Sequence, residues 1–199
     1  MILASASPRR KEILSLITEN FEVVTSDVDE RSIEKEFFNQ AEACSSDITK
    51  LSETLAVAKA KDVFMKLGMP TDTIVIGSDT SVIVDNEVLG KPKDHDDAVR
   101  MLIKLSGKVH SVVTGVALVH DKGTVSFSNN SFVTFNSYDE EQSRLILKYC
   151  DSMEPYDKAG AYGIQGKGAL LINRIDGDFY SIMGLPVAQL QRELCKLIG

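Results

Sequence analysis

The stretch TIVIGSDTSVIVDNEVLGKP, residues 73–92, decides the fold class of this chain. Its first part is an apolar run that ends in Gly-Ser-Asp, a pattern typical of a buried strand with polar residues at its end. Its second part contains Asp85-Asn86 between apolar residues, which favours the tight turn of a β-hairpin. The stretch therefore predicts a buried strand that ends near Asp79, followed by a hairpin.

A helical pattern precedes this strand. In LSETLAVAKAKDVFMKLG, residues 51–68, the apolar residues Leu51, Leu55, Ala58 and Phe64 recur at helical spacing. Gly68 stands where a helix commonly ends in the left-handed conformation. The sequence therefore predicts a helix that leads into the buried strand.

Two further helices are predicted after the hairpin. Asp94 is placed as the N-cap of a helix that Gly107 closes. Ser137 and Glu140 form a capping-box pattern for a second helix that runs through Cys150. Two long β-rich runs, residues 110–120 and 124–135, lie between these helices and look antiparallel. We therefore expect an α/β fold built on a mixed sheet.

The N-terminal third is more varied. Residues 2–4 are a short apolar strand that runs into a helix capped by Ser7, and residues 21–25 read as another strand. The following stretch, residues 29–50, is polar and only weakly periodic. We expect it to be a loop with a helical turn near residues 34–38.

Charge and composition limit the classes of partner. The chain has 199 residues and a net charge of −7, which argues against binding to bulk nucleic acid or to an anionic membrane. No apolar run is long enough to span a bilayer, and the N-terminus lacks a signal-peptide pattern. The three cysteines are scattered and have no metal-like spacing. These features predict a cytoplasmic protein with reduced thiols.

Within this acidic chain, LASASPRRKEIL, residues 3–14, concentrates positive charge. Ser7 is a good N-cap, and Pro8 suits the first helical position. A helix N-terminus already attracts anions, and Arg9 and Arg10 stand directly behind it. One hypothesis is therefore a bound phosphate or carboxylate. The alternative is that these side chains are simply solvated.

Carboxylates and lysines at three other places could complete such a site. Asp79 could hold Mg²⁺ or accept a proton from water, although it could also cap the following turn. Lys91 lies in the stiff turn GKPKD, and Glu30 follows the strand at residues 21–25. Lys59 and Lys61 point to different faces of one helix, and we expect Lys59 to be the one near Asp79.

A glycine-rich segment, AGAYGIQGKGA at residues 159–169, matches neither a Walker A loop nor a dinucleotide fingerprint. Its glycines allow a ligand to approach the backbone closely. Gln165 carries both an amide donor and a carbonyl acceptor, a pair that could read a pyrimidine edge. An ordinary glycine-rich turn is an equally good interpretation. His110 and His120 share one strand face, which strand alternation explains without a metal site.

Taken together, the ordered motifs resemble the Maf family of nucleotide pyrophosphatases from Ile2 to Pro186. The stretches that carry the resemblance are LASASPRRKEIL, DVDE, LAVAKAK, IVIGSDTSVIVDNEVLGKPKD, AVRMLIKLSGKVHSVVTGVAL and DKAGAYGIQGKGALLI followed by IDGDFYSIMGLP. The resemblance implies one domain over residues 1–199. It also implies an elongated two-lobed fold, similar to ITPases, around a central twisted mixed β-sheet with a cleft.

The resemblance also implies roles for individual residues. Asp79 in GSDT matches the family's proton acceptor, and Arg9, Thr80 and Gln165 match positions linked to substrate choice. The other polar positions that line the cleft are matched by Ser7, Arg10, Glu30, Lys59 and Lys91. A divalent cation, Mg²⁺ or Mn²⁺, is expected to be held by Glu30 and Asp79. Residues 34–53 are longer than the usual family stretch, which predicts a change at the cleft entrance or dimer surface.

The implied activity is metal-dependent hydrolysis of nucleoside triphosphates to the monophosphate and pyrophosphate, by a homodimer. The ending GIQGKG followed by GDFYSIMGLP is similar to the subgroup that acts on dTTP and UTP. Two alternatives remain open: the same chemistry on 7-methyl-GTP or another purine nucleotide, and a regulatory protein that senses nucleotides without hydrolysing them. Pyrophosphate release distinguishes the sensor from the enzyme.

Overall fold

Seven strands form one mixed sheet in the part of the chain that the structure describes. The computed structural model describes residues 1–44 and 47–198, the side chains of residues 40–44 excepted. The strands are β1 (Ile2–Ala4), β2 (Glu22–Val23), β3 (Val75–Val84), β4 (Glu87–Leu89), β5 (Val109–His120), β6 (Gly123–Phe135) and β7 (Ile172–Asp176). Their order is β2-β1-β3-β5-β6-β7, and β4 pairs with β3.

Helices alternate with these strands along the chain. They are α1 (Pro8–Ser15), α2 (Glu30–Cys44), α3 (Leu51–Lys66), α4 (His95–Leu105), α5 (Glu140–Cys150), α6 (Phe179–Met183) and α7 (Val187–Ile198). Short 3-10 helices cover Ile48–Lys50, Ala159–Ala161 and Gly166–Leu171. β1 pairs parallel with both β2 and β3, whereas β3–β4 and β6–β7 are antiparallel. The predicted α/β fold with a mixed sheet is confirmed.

The central strand differs from its prediction. The sequence predicts a strand that ends at Gly-Ser-Asp, but β3 continues through Asp79 to Val84. Ser78 is fully buried, and its hydroxyl lies 3.0 Å from the carbonyl oxygen of Gly115 and 2.8 Å from that of Gly184. Because its polar side chain is satisfied inside the protein, the strand does not need to end there. Asp79 therefore lies within a strand.

The predicted hairpin after β3 is confirmed. Val84 pairs with Glu87, and the two residues between them, Asp85 and Asn86, have φ angles of 50° and 63°. Positive φ at both positions is typical of a type I′ turn, which matches the twist of the flanking strands. The local residue pair determines this turn.

The predicted loop at residues 29–50 is wrong, although the helical turn predicted within it, near residues 34–38, does lie in a helix. Helix α2 occupies Glu30–Cys44, and the carboxylate of Asp29 accepts hydrogen bonds from the backbone and hydroxyl of Ser32, at 3.2 and 2.7 Å. This N-terminal cap and packing against α3 stabilise the helix, in which Ile33 and Phe37 recur at helical spacing among many polar residues. The long segment predicted to be an insertion, residues 34–53, is thus largely helical, and residues 45–46 within it lie outside the described residues.

The start of α5 also differs from its prediction. The sequence placed Ser137 as the cap, but Asp139 is extended and its carboxylate accepts the backbone N–H of Gln142 at 2.8 Å. Either side chain suits an N-cap, so the choice depends on where the preceding strand releases the chain. The end of the helix at Cys150 agrees with the prediction.

The chain forms two compact units. The first comprises Met1–Thr80, Thr114–Asn129 and Gly184–Gly199, and the second comprises Ser81–Val113 and Asn130–Met183. The first has a core in which small and branched residues of β1, α3 and β3 meet, including Ala56, Ala60 and Val75. In the second unit, α4 packs against α5. The single domain over 1–199 and the elongated two-lobed shape with a cleft stay predictions.

The structure also bears on the predictions about the cysteines and about membrane-spanning helices. Cys150 and Cys195 are free thiols, and the side chain of Cys44 lies outside the described residues. Among the helices that the structure describes, none has both the length and the apolar character needed to cross a bilayer.

Candidate active site

Asp79 is the buried acid at the centre of the candidate site. Its side chain, on β3, is only 12% exposed. Burial raises the pKa of Asp79 above its usual range, and the positive charges of Lys59 and Arg10 offset part of that rise. A carboxylate in this environment binds a proton more strongly than an exposed one does.

Lys59 is the partner of Asp79. Its ammonium lies 2.6 Å from Asp79 Oδ1 and 2.9 Å from Glu30 Oε1. The prediction that Lys59, and not Lys61, lies near Asp79 is confirmed, because Lys59 is on the buried face of α3 and Lys61 is exposed. The helix thereby supplies a cation to an acid on the neighbouring strand.

Close packing of α3 on β3 makes this contact possible. A Cβ atom at Gly77 would lie 2.2 Å from the carbonyl oxygen of Ala56 and 2.9 Å from the Cβ of Ala60. Both helix residues are small and fully buried. Gly77, which lies two residues before Asp79 on β3, therefore lets the backbone of α3 approach the strand closely.

Helix α2 adds two carboxylates to the site. Glu30 and Glu34 are four residues apart, so their side chains project from the same face of the helix. The pKa of Glu34 is raised, first by burial and then by the negative charges of Asp79 and Glu30. Glu34 is therefore a member of the site that the sequence analysis missed, because the helical turn predicted near residues 34–38 does not include Glu30 and so does not place the two carboxylates on one helix face.

Arg10 is held in place by three acceptors. Its Nε donates to the Gly184 carbonyl at 3.0 Å, one Nη donates to Ser5 Oγ at 3.3 Å, and the other donates to Thr80 Oγ1 at 3.1 Å. Burial lowers the pKa of Arg10, and the charges of Asp79 and Glu30 partly oppose that change. These three acceptors therefore fix the orientation of the guanidinium.

The predicted N-cap of α1 is confirmed. Ser7 Oγ accepts the backbone N–H of Arg10 at 3.4 Å, and Pro8 occupies the first helical position. Arg9 follows on the same helix and is half-buried, and its positive charge contributes to lowering the pKa of Arg10. The two arginines thus stand at the N-terminal end of a helix, where anions are favoured.

Thr80 joins the arginine to β5. Its hydroxyl, which accepts from Arg10, lies 2.9 Å from the hydroxyl of Thr114. Sequence reasoning missed Thr114 and Ser5, since neither stands in a pattern with a chemical meaning of its own. The only available signal for Ser5 was the Ser-x-Ser spacing ahead of Pro8.

The carboxylates have the chemistry of a divalent-cation site. Carboxylate oxygens are the ligands that Mg²⁺ and Mn²⁺ prefer. In the structure Glu30 and Asp79 share the Lys59 ammonium, and the described residues contain no group of three or more His, Cys, Asp or Glu side chains able to hold a metal. The pKa of Glu34 is raised first by burial and then by the negative charges of Asp79 and Glu30, and those charges favour a cation nearby. The oxygen donors of Glu30 and Asp79 are therefore of the chemical type that the expected metal prefers.

Two predicted substrate-binding residues belong to the second unit. Lys91 is exposed and follows β4, and Gln165 is exposed and precedes the 3-10 helix Gly166–Leu171. The remaining predicted residues, which belong to the first unit, are Ser7, Arg9, Arg10, Glu30, Lys59, Asp79 and Thr80. The direct contacts described above join Lys59 to Asp79 and Glu30, and Arg10 to Thr80.

Comparison with known proteins now bears on this arrangement. The family model described as Maf-like protein matches residues 1–197. The chain belongs to the Maf family. The family match covers both units of the fold and every predicted site residue.

Two curated relatives of this Maf chain bear the same name. A protein of Bacillus cereus called dTTP/UTP pyrophosphatase is 46% identical over 98% of this chain and 93% of its own length. A protein of Bacillus cytotoxicus with the same name is 47% identical over 97% of this chain and 93% of its own length. Among solved structures, a nucleoside-triphosphatase described as a dITP/XTP pyrophosphatase, from Mycobacterium abscessus, has a TM-score of 0.40 and 14% identity, covering 67% of this chain and 72% of that one.

Proposed function

We propose that the chain hydrolyses dTTP and UTP to the nucleoside monophosphate and pyrophosphate. The observation that carries the proposal is the buried Lys59–Asp79 pair, which places a carboxylate with a raised pKa beside fixed cations. Relatives that are 46% and 47% identical over nearly the whole chain bear the name of this activity. The chemistry and the comparison therefore agree.

Asp79 is the proposed general base. Its raised pKa makes it a better proton acceptor, and the Lys59 ammonium keeps enough of it ionised to act. Water oxygen forms a bond to the α-phosphorus, Asp79 takes the water proton, and the bond to the bridging oxygen breaks. Pyrophosphate leaves with the electron pair of that bond.

The cations bind the triphosphate. Arg10 uses three of its five N–H donors inside the protein, which leaves two for phosphate oxygens. The remaining proposed contacts to substrate are Ser7, Arg9, Lys59, Thr80, Lys91 and Gln165. Fixed donors at the charge that develops on the leaving group lower the barrier without reorganisation.

A divalent cation, Mg²⁺ or Mn²⁺, completes the proposed site. Glu30 and Asp79 would hold it. The Glu34 carboxylate, whose pKa responds to the negative charges of both residues, would also favour a cation there. When bound, the cation neutralises phosphate charge. Glu30 and Asp79 remain responsible for orienting it, and Lys59 for balancing their charge.

The decisive experiment is pyrophosphate release from a panel of dTTP, UTP, CTP, GTP and 7-methyl-GTP. It is run with Mg²⁺, with Mn²⁺ and after chelation. Release that depends on metal and favours dTTP and UTP supports the whole proposal. Preference for GTP or 7-methyl-GTP would assign the same chemistry to purine substrates. Binding without release by the folded protein would instead assign a sensor.

Homodimerisation and a cytoplasmic location belong to the same proposal. Dimerisation is tested by light scattering of the purified protein with and without dTTP. A monomer that is fully active would remove the dimer from the mechanism. The net charge of −7 favours a small nucleotide over a nucleic acid as the anionic partner.

A further inference from the structure

A buried aromatic cluster in the second unit is unused by the proposed chemistry. It consists of His110 on β5, Phe135 on β6 and Tyr162 in the glycine-rich segment, each no more than 5% exposed. The rings meet edge to face, with centroids 4.8 to 5.4 Å apart. His110 Nε2 lies 2.6 Å from the Tyr162 hydroxyl. Two strands and one loop are thus joined at this cluster.

The hydrogen bond within the cluster is between neutral groups. Burial lowers the pKa of His110 to about 4 and raises that of Tyr162 above its usual range. Among the residues the structure describes, His110 Nδ1 is the buried side-chain nitrogen or oxygen atom without a hydrogen-bond partner. Tyr162 is therefore the hydrogen-bond partner on which the imidazole depends. The same hydrogen bond fixes the position of the tyrosine hydroxyl.

A second tyrosine holds the same segment. The Tyr149 hydroxyl accepts the backbone N–H of Gly163 at 3.3 Å. Gly168 packs so closely on this turn that a Cβ there would lie 2.3 Å from the Gly163 carbonyl oxygen. Ile164 is buried beside it. The backbone just before Gln165 is therefore tied down at consecutive residues, whereas the Gln165 side chain is exposed.

We propose that His110 is a positioning residue for substrate selection. Through its hydrogen bond to Tyr162 it orders the backbone that presents Gln165, so that the amide meets a nucleotide base in one orientation. The inference rests on the proposed function, in which Gln165 contacts the substrate base. An amide can discriminate between bases only when its donor and acceptor are held in register with the base edge.

The first test removes only the hydroxyl of Tyr162. Tyr162→Phe is expected to raise KM for dTTP and UTP about tenfold, the worth of one hydrogen bond, with kcat within about threefold of wild type. It should also reduce the preference for dTTP over CTP. The matched control is Tyr156→Phe, which removes a tyrosine hydroxyl that donates to the Cys150 carbonyl at 2.7 Å in the same unit. The control should keep both KM and preference.

A double-mutant comparison separates positioning from general destabilisation. In a Gln165→Ala background, Tyr162→Phe should cause no further increase in KM, because the group that it positions is absent. Equal effects in both backgrounds would overturn the inference. The inhibition constant of inorganic tripolyphosphate, which has no base, should be the same in wild type and Tyr162→Phe. A matching loss there would also overturn it.

Substitution of the histidine provides a second, independent route if Tyr162→Phe does not fold. His110→Gln keeps a polar group able to reach the Tyr162 hydroxyl and should keep the preference for dTTP within about threefold, whereas His110→Leu should lose it. Equal preference in the two folded variants contradicts the role of His110. If wild type binds nucleotides without releasing pyrophosphate, the proposed function fails and the same comparisons are made on dissociation constants for dTTP and CTP. If it binds no nucleotide, both proposals are overturned.

Discussion

The two units each bury a polar pair beside a strand, but the pairs differ in charge. In the first unit Lys59 and Asp79 form an ion pair at 2.6 Å, next to Glu30 and Arg10. In the second unit His110 and Tyr162 form a neutral hydrogen bond at the same distance. Both pairs are almost inaccessible to water.

The difference indicates what each pair is suited to do. Buried charges cost free energy unless they are paired, and a pair that remains charged can transfer protons and bind phosphate. A neutral hydrogen bond cannot contribute charge, but it fixes geometry at a smaller cost. The charged pair therefore suits chemistry, and the neutral pair suits positioning. The following predictions test this contrast, beginning with the largest expected effect.

Asp79→Asn should reduce turnover by about 10²- to 10⁴-fold while the protein still folds. The amide occupies the same volume but cannot accept the proton of water. Steady-state pyrophosphate release measures the effect. Asp85→Asn, at the exposed hairpin turn, is the matched control and should keep full activity. Undiminished turnover in folded Asp79→Asn would falsify its assignment as the base.

Lys59→Met should destabilise the fold by about 3–5 kcal/mol at pH 8, because it leaves the Asp79 carboxylate buried and unpaired. The pKa of Asp79 should rise further, since the positive charge of Lys59 lowers it in the wild-type protein. The acid limb of the pH profile of kcat/KM should consequently move to higher pH. Chemical denaturation and the pH profile provide the two measurements.

Lys61→Met is the control for this variant, since Lys61 lies on the exposed face of the same helix. It should change the free energy of unfolding by less than about 0.5 kcal/mol. Equal destabilisation by the two substitutions would show that the loss of either lysine destabilises helix α3, and that the ion pair with Asp79 adds nothing to the stability of the fold.

The neutral pair predicts a loss of stability in acid. His110 has a pKa of about 4 when folded and an ordinary value of 6.5 when unfolded, so the unfolded chain binds the proton more readily between these values. The neutral His110 therefore contributes about 3 kcal/mol to the free energy of unfolding. This contribution is fully present above pH 6.5 and is lost as the pH falls toward 4. The ring partners of His110 are Tyr162 and Phe135, and neither is charged in this window.

The raised pKa of Asp79 acts in the opposite direction, because the folded state then holds the acid proton more tightly and stability falls as the pH rises. The contribution of His110 is therefore measured as the difference between wild type and His110→Leu in urea denaturation from pH 4 to pH 7. That difference should grow with pH. A constant difference would mean that His110 does not bury a neutral imidazole.

The smallest expected effect concerns the start of α5. Asp139→Ala should cost about 1 kcal/mol of stability, because the Asp139 carboxylate caps the helix through Gln142. Ser137→Ala, at the position favoured by the sequence pattern, should change stability by less than about 0.5 kcal/mol. Thermal unfolding of the two variants ranks them. The reverse order would restore the capping box predicted from sequence.

Sequence reasoning succeeded where the signal was local or the motif complete. The turn at Asp85-Asn86, the N-cap Ser7 and the buried face of α3 that carries Lys59 all follow from residues close together in the chain. It failed at α2 because polar residues dominate that stretch and obscure the helical spacing of Ile33 and Phe37, whereas the packing against α3 is visible only in the tertiary structure. Glu34 was missed for the same reason.

The sequence by itself determined the alternation of helices and strands, the turn chemistry, the family and the residue types available for catalysis. The tertiary structure decided which of those residues meet. Arg10 reaches the carbonyl of Gly184 across 174 positions, and Lys59 reaches Asp79 only because Gly77 lets α3 approach β3. The tertiary structure also decided that β3 continues past Asp79, since the buried Ser78 hydroxyl bonds to carbonyl groups of other segments. Local patterns describe neighbours in the chain, whereas burial and charge depend on neighbours in space.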